Sequence, residues 1–199
     1  MAEQNVLLIF VKNPEKGKVK TRLAKTIGDE KALEVYKKLI AYTRQITSEV
    51  SASRKVWYSR FVPENDEWDT EKFEKKIQQG DDLGMRMKNA FAESFTSNHV
   101  KVVIIGSDSA QITTEGIENA FSELEENELV IGPSEDGGYY LLGMQDFYPE
   151  FFEGIDWSTS KVFAQTLKIA RRKGLKTSIL PELNDVDNEE DWQSVKDQL

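Results

Sequence analysis

Cysteine is absent from the 199 residues, and histidine occurs once, as His99. Such a chain builds no disulfide framework, no thiolate metal site and no cysteine nucleophile. A multi-histidine metal centre or a histidine-dependent triad within one chain is equally implausible. Positive charge is also scarce. The 26 Lys and Arg face 35 Asp and Glu, giving a formal net charge of −9 and a pI near 4.9. That balance argues against a general nucleic-acid binder, which needs surplus cations to neutralise phosphates. No apolar run approaches the ~20 residues that span a membrane. The opening MAEQNVLLIFV has an acid at Glu3 and no basic segment before its apolar run, unlike a secretory signal. What is there is 39% hydrophobic and 31% charged. The expectation is one soluble, cytoplasmic domain over residues 1–199.

Strand-like and helix-like segments alternate. Residues 5–11 (NVLLIFV) form a continuous apolar run suited to a strand covered on both faces. A polar stretch over 12–28 precedes a helical pattern over 29–50, with Leu33, Tyr36, Leu39, Ile40 and Thr43 along one side. Residues 55–61 suit a second strand, 71–78 a short helix and 83–95 a helix carrying Met87, Ala90, Phe91 and Phe95. Residues 100–105 are a strand ending at Gly106-Ser107-Asp108, and Thr113 or Thr114 caps the next helix. A strand at 129–132 and the turn Asp136-Gly137-Gly138 lead into a strand at 139–144. A helix over 159–173 stops at Gly174, a strand follows at 176–180, and a terminal helix spans 188–199. This order predicts an α/β fold with a mostly parallel central sheet. In such sheets ligands bind beyond the carboxyl ends of the strands. The chemistry-bearing loops fall there, and those around Asp136 and around Asp185 and Asp187 converge on that edge if the sheet is doubly wound.

The loop after the first strand reads KNPEKGKVKTRLAK, with Lys12, Lys16, Lys18, Lys20, Arg22 and Lys25 against Glu15 alone. A local excess of cation in an acidic chain favours an anion such as phosphate over a merely solvated loop. Gly17 permits close backbone approach, and Arg22 offers a planar fork. GxxxxGK[ST] and GxGxxG are both missing. Asp108 follows a buried strand, where it serves either as a ligand for Mg²⁺ or Mn²⁺ or as a turn or cap aspartate. Ser107 and Ser109 are expected to bond to backbone, since no histidine activates them. Asp136 and the paired Gly137 and Gly138 make either a plain turn or a loop whose backbone reaches a sugar or phosphate. Asp185 and Asp187 precede the last helix, and one of them is a second candidate metal ligand. Trp157-Ser158-Thr159-Ser160 suits a helix start with a packed aromatic, or a substrate-binding loop.

The series KNPEKGKVKTRLAKTIG, DLGMRM, IIGSDS, EDGGYYLLGM, IDWSTS and ELNDVDNEEDW resembles a bacterial family of small GT-A-type, glycosyltransferase-like proteins. Some members are associated with radical-SAM gene clusters and arsenosugar biosynthesis. The likeness spans nearly the whole chain in order. It implies a GT-A-like, Rossmann-like three-layer α/β/α domain of the nucleotide-diphospho-sugar transferase superfamily. It also implies that Thr21-Arg22-Leu23 and Lys25 belong to a phosphate loop, here without the superfamily's GxG. Lys12 and Gly17 lie on the same loop. Gln79 and Leu83-Gly84 are similar to a QxxxLG element that contacts base and ribose. Asp108 matches the strand-end metal aspartate, and Asp185 or Asp187 matches a DVDTxED ending in which Asn188 replaces Thr. Ser109-Ala110 stands where many relatives carry Cys-Pro.

The resulting expectation is a transferase using a nucleotide-activated donor, a divalent cation and a small-molecule acceptor. In glycosyl transfer, Asp136 deprotonates the acceptor hydroxyl while Asp108, with Asp185 or Asp187, holds the metal. Arg22 and Lys25 face the phosphates, and Gly137, Gly138, Trp157 and Ser158 line the substrate side. The alternatives are nucleotidyl transfer from an NTP with release of pyrophosphate, and a nucleotide-binding protein without catalysis.

Overall fold

The computed structural model describes residues 5–95 and 101–199; the start of the strand expected at residue 100, and His99, lie outside them. Seven strands form one sheet in the order β3-β2-β1-β4-β6-β5-β7. These are β1 (Val6–Val11), β2 (Ser53–Tyr58), β3 (Phe73–Ile77), β4 (Val102–Ile105), β5 (Leu129–Pro133), β6 (Tyr139–Met144) and β7 (Thr177–Ile179). β6 runs antiparallel to both its neighbours, and every other pairing is parallel. Helices α1 (Thr21–Ile27), α2 (Asp29–Ser48), α3 (Leu83–Phe95), α4 (Thr114–Glu123), α5 (Val162–Lys173) and α6 (Glu189–Val195) flank it.

β1 and β4 explain why their sequences are unbroken apolar runs. The sheet is covered on both faces, so alternate residues enter different cores. Leu7, Ile9, Val103 and Ile105 pack with Ile117 and Phe121 of α4. Val6, Leu8, Val102 and Ile104 pack with Met87 and Phe91 of α3 and Phe151. Among the described residues, no helix is long and apolar enough to cross a membrane.

The structure corrects one element. Residues 71–78, expected as a helix, contain the edge strand β3, paired in parallel with β2 from Arg54↔Phe73 to Tyr58↔Ile77. Burial of Phe73 edge-to-face against Trp68, with ring centroids 4.9 Å apart, outweighs the helical propensity of EKK. The charges remain satisfied on the edge: Lys75 Nζ lies 2.5 Å from Asp66 Oδ1, and Lys76 pairs with Glu74 and Glu93. Charged edge residues also discourage pairing with another chain. A second difference lies in the polar stretch 12–28, whose last third is the short helix α1.

The β1 and β4 ends form the point where the chain order reverses, and Tyr36 of α2 fastens them. Its buried hydroxyl accepts from the Lys12 backbone N–H at 2.8 Å and lies 3.0 Å from Ser107 Oγ. Burial chiefly, with the Asp108 charge, holds that phenol far above its usual range, so it stays neutral and acts as a fixed bracket.

Candidate functional site

A two-lobed cleft opens at this edge. One lobe, about 370 Å³, is walled mainly by apolar groups, among them Phe10, Leu83, Met87 and Ile112, with Gln78 and Arg86 as polar members. The other, about 340 Å³, is charged: Lys18, Lys20 and Arg22 face Asp136 and Asp187, with Trp157 and Thr159 alongside. Lys12, Leu83, Asp108, Tyr139, Ser158 and Asp185 line both, so the lobes meet at two carboxylates and a lysine.

Local stitching brings distant loops to this point. The Asp108 carbonyl accepts from Val186 N at 3.0 Å, and Ser109 Oγ donates to the Asn184 carbonyl at 3.0 Å. The latter bond fulfils the expectation that Ser109 serves the backbone, whereas Ser107, expected to do the same, meets the Tyr36 hydroxyl instead. Asn188 and Asp191 form a reciprocal capping box at the start of α6, and Asp191 Oδ2 also accepts from the Asp187 backbone N–H. The segment carrying Asp185 and Asp187 is thus clamped from both ends. Across the cleft, Asp136 Oδ1 accepts from Gly138 N at 2.8 Å. Gly137, at φ 86°, lies where a Cβ would come within 2.3 Å of the Ser160 carbonyl oxygen.

Gly84 has an equally specific reason to be glycine. A Cβ there would stand 2.0 Å from Trp157 Nε1, so the indole rests on the bare backbone of α3. Trp157 in turn meets Tyr139 edge-to-face at 6.4 Å. Among the described residues, the two non-glycines at positive φ are Lys20 (47°) and Ser158 (61°), and both line the cleft. Such conformations persist where surrounding contacts over-determine them.

The electrostatics separate Asp108, Asp187 and Asp185. Asp108 keeps about a third of its side chain exposed (35%), and Lys20 Nζ lies 2.7 Å from its Oδ1. Crowding in the cleft pushes its pKa up, but Lys20 and Lys12 outweigh this and hold it below the ordinary carboxylate value. Asp187 is engaged by Arg22, whose Nη1 lies 2.7 Å from Oδ2. Asp185 forms no ion pair among the described residues and makes one long contact, 3.4 Å, with Ser134 Oγ. Burial, then the Asp108 charge, pushes its pKa up to about 7. Asp185, like Asp136, therefore has no ion-pair partner among the described residues. No group of three or more acidic or imidazole side chains stands ready to cage a cation among the described residues. Two hard carboxylate oxygens with room for phosphate and water are nevertheless the donor set Mg²⁺ and Mn²⁺ use beside nucleotides.

Of the residues singled out in the sequence, Lys12, Arg22, Asp108, Asp136, Gly138, Trp157, Ser158, Asp185 and Asp187 line the cleft. Gly84 and Gly137 support it from behind. Gly17, Lys25 and Gln79 line neither lobe; Lys25 is exposed in the last turn of α1, and the Gln79 carbonyl accepts from Asn89 of α3. The neighbouring Gln78 lines the apolar lobe instead, its Nε2 donating to the Trp57 and Val11 carbonyls. Lys20 was one cation among six in the sequence, and no spacing marked it as the buried one. Gln78 carried no signal either, because the element expected there was a helix.

The comparisons with known proteins agree with this architecture. A 1.90 Å crystal structure from Desulfovibrio desulfuricans G20, provisionally called a nucleotide-diphospho-sugar transferase, is 35% identical. The match covers 94% of this chain and 84% of that one, with a TM-score of 0.86. The inositol-1-phosphate CTP transferase from T. maritima is 13% identical, with 96% and 92% covered and a TM-score of 0.57. Rv0371c from Mycobacterium tuberculosis H37Rv, in complex with manganese, is 11% identical, with 98% of each chain covered and a TM-score of 0.55. The last two likenesses are of fold alone. No curated protein matches the chain. Residues 42–159 match a family model described as an uncharacterized protein conserved in bacteria, DUF2064, and the chain belongs to that family.

Proposed function

We propose that this protein transfers a glycosyl group from a nucleotide diphospho-sugar to the hydroxyl of a small-molecule acceptor, with the help of a divalent cation. The observation that carries the proposal is the pairing of an apolar lobe with a charged lobe across Asp108, Asp185 and Lys12. A nucleoside suits the first lobe, since most small-molecule sites are apolar with a few convergent polar groups. Its diphosphate then lies beside Lys12, Lys18, Lys20 and Arg22. The sugar faces Trp157 and Ser158, with Gly138 allowing close backbone approach.

In the transfer, the acceptor oxygen bonds to the anomeric carbon as the bond from that carbon to the β-phosphate oxygen breaks. The electron pair leaves with the nucleoside diphosphate, and Asp136 takes the hydroxyl proton. Lys12, Lys18, Lys20 and Arg22 stabilise charge on the departing diphosphate. Asp108 and Asp185, which line both lobes, are the carboxylates that would hold Mg²⁺ or Mn²⁺; Asp187 lines the charged lobe alone and is the weaker candidate. When bound, the cation supplies Lewis-acid stabilisation of the leaving diphosphate. Support for a nucleotide-using transferase comes from the relative at 35% identity. Support for the cation comes from the manganese held by a protein of the same fold.

Nucleotidyl transfer is the second reading, favoured by the four cations Lys12, Lys18, Lys20 and Arg22 in one lobe. These also suit a triphosphate. Thermal-shift screening of UDP-, GDP-, CDP- and ADP-sugars and the four NTPs with Mn²⁺ or Mg²⁺ identifies the donor. A ligand at about 100 times its Kd stabilises by about 2.7 kcal/mol. Product analysis then decides. Nucleoside diphosphate release with a sugar adduct supports glycosyl transfer, and pyrophosphate release overturns it.

A further inference from the structure

Lys20 is held in a costly position. Its side chain is 3% exposed, and its backbone is left-handed at φ 47° and ψ 44°, directly before α1. Left-handed backbone is disfavoured for a non-glycine residue. The side chain does not cap the helix it precedes. Burying an ammonium adds a desolvation cost that only close pairing offsets. What the position achieves is one fixed positive charge 2.7 Å from Asp108 Oδ1, on the wall of the charged lobe.

That place conflicts with a metal. Asp108 and Asp185 together carry two negative charges when ionised, and Lys20 neutralises one of them. A divalent cation bound through Asp108 needs the same carboxylate, and its charge repels the ammonium. The lobe offers the displaced ammonium its other carboxylates, Asp136 and Asp187, and, once a donor is bound, the donor's phosphate beside Lys18 and Arg22. We propose that Lys20 is a resident counter-cation that competes with the divalent metal for Asp108 in the free protein. It passes to the donor's phosphate oxygens when metal and nucleotide bind together. This rests on the metal-assisted reading of the same cleft, and gives Lys20 a direct contact with the substrate.

The sign of one effect separates this role from a structural clamp. With Mn²⁺ alone, followed by calorimetry or by the electron paramagnetic resonance of free Mn²⁺, Lys20→Met should bind the ion at least about threefold more tightly than the parent. The same variant should bind a nucleoside diphosphate in the presence of saturating Mn²⁺ at least about threefold more weakly. Unchanged or weaker Mn²⁺ binding by a folded Lys20→Met overturns the proposal. If the variant does not fold, amine-reactive footprinting of the parent protein gives the answer. Lys20 should label slowly in the free protein, faster with Mn²⁺ alone, and slowly again with Mn²⁺ and nucleoside diphosphate. No acceleration by Mn²⁺ overturns it. Failure to bind Mn²⁺ even with nucleotide would remove the metal reading itself. Normal Mn²⁺–nucleotide binding without these Lys20 effects removes this inference alone.

Discussion

The two lobes of the cleft are built by opposite means. The apolar lobe rests on strand ends and α3, with Gln78 bonded to two strand carbonyls and Tyr36 bracing β1 against β4. The charged lobe rests mostly on loops, and charge pairing holds it: Lys20 on Asp108 and Arg22 on Asp187, with Asp136 and Asp185 outside any ion pair among the described residues. A packed wall keeps its shape with or without ligand, whereas a lobe of paired charges changes its pairing when an ion arrives. Rigid recognition and adaptable electrostatics are thus divided between two halves of one site.

Asp108→Asn should break that division most severely, because Asp108 belongs to both lobes. Metal-dependent nucleotide binding should fall about 100-fold, equivalent to about 2.7 kcal/mol. Melting temperature should fall as well, since the variant leaves the Lys20 ammonium buried without its charged partner. A variant that binds Mn²⁺ and nucleotide normally by calorimetry would make Asp108 a purely structural partner of Lys20.

Gly84→Ala should come next. Its Cβ meets the Trp157 ring, so the indole must leave its seat on α3. Overpacking of this kind costs about 1–3 kcal/mol, and the displaced ring blocks the passage between the lobes. Thermal unfolding and nucleotide titration should both register it. Loss of stability with unchanged binding would show that Trp157 does not line the ligand site.

Arg22→Ala should have a smaller effect, about 1 kcal/mol, because the guanidinium is 71% exposed and its pairing with Asp187 is solvent-screened. The loss should appear for nucleoside diphosphates and vanish for the nucleoside alone. Lys25→Ala, on the exposed last turn of α1, should change neither. Equal losses for the two variants would mean a diffuse field rather than a shaped phosphate site.

A pH slope is expected as well. Asp185 has a folded pKa near 7, above its ordinary value of 3.8. The folded state therefore retains a proton that the unfolded chain has lost. Stability from this group is full below about pH 4 and is lost as pH rises through 7. Mn²⁺ should accordingly raise the melting temperature more at pH 8 than at pH 5.5. Asp185→Asn should flatten both trends.

The same contrast governs what the sequence disclosed. The charged lobe was legible because its residues interrupt local patterns: six cations in an acidic chain, an aspartate after a buried strand, acids before a helix. The apolar lobe was not, since Gln78, Tyr36 and Met87 look like ordinary surface or core positions until strand order places them at the sheet edge. β1 and β4 were legible as apolar runs, and α3 from the helical spacing of its apolar residues. β3 was not, because FEKKI has too few apolar residues to show a period, and only its pairing with β2 makes it a strand. Lys20 was invisible for a different reason: burial of one lysine among six depends on a backbone conformation that sequence disfavours.

Calorimetric titration of one nucleoside diphosphate with Mn²⁺, against the matching triphosphate with Mg²⁺ and against each nucleotide without metal, tests the central claim most directly. A basic loop with a single glycine, in place of a compact glycine turn, suits a less enclosed diphosphate. The account predicts that the diphosphate with Mn²⁺ binds most tightly and that affinity collapses without metal. Tighter triphosphate binding, together with pyrophosphate release when a small phosphorylated acceptor is added, would contradict glycosyl transfer. Binding indifferent to metal would contradict the role given to Asp108 and Asp185.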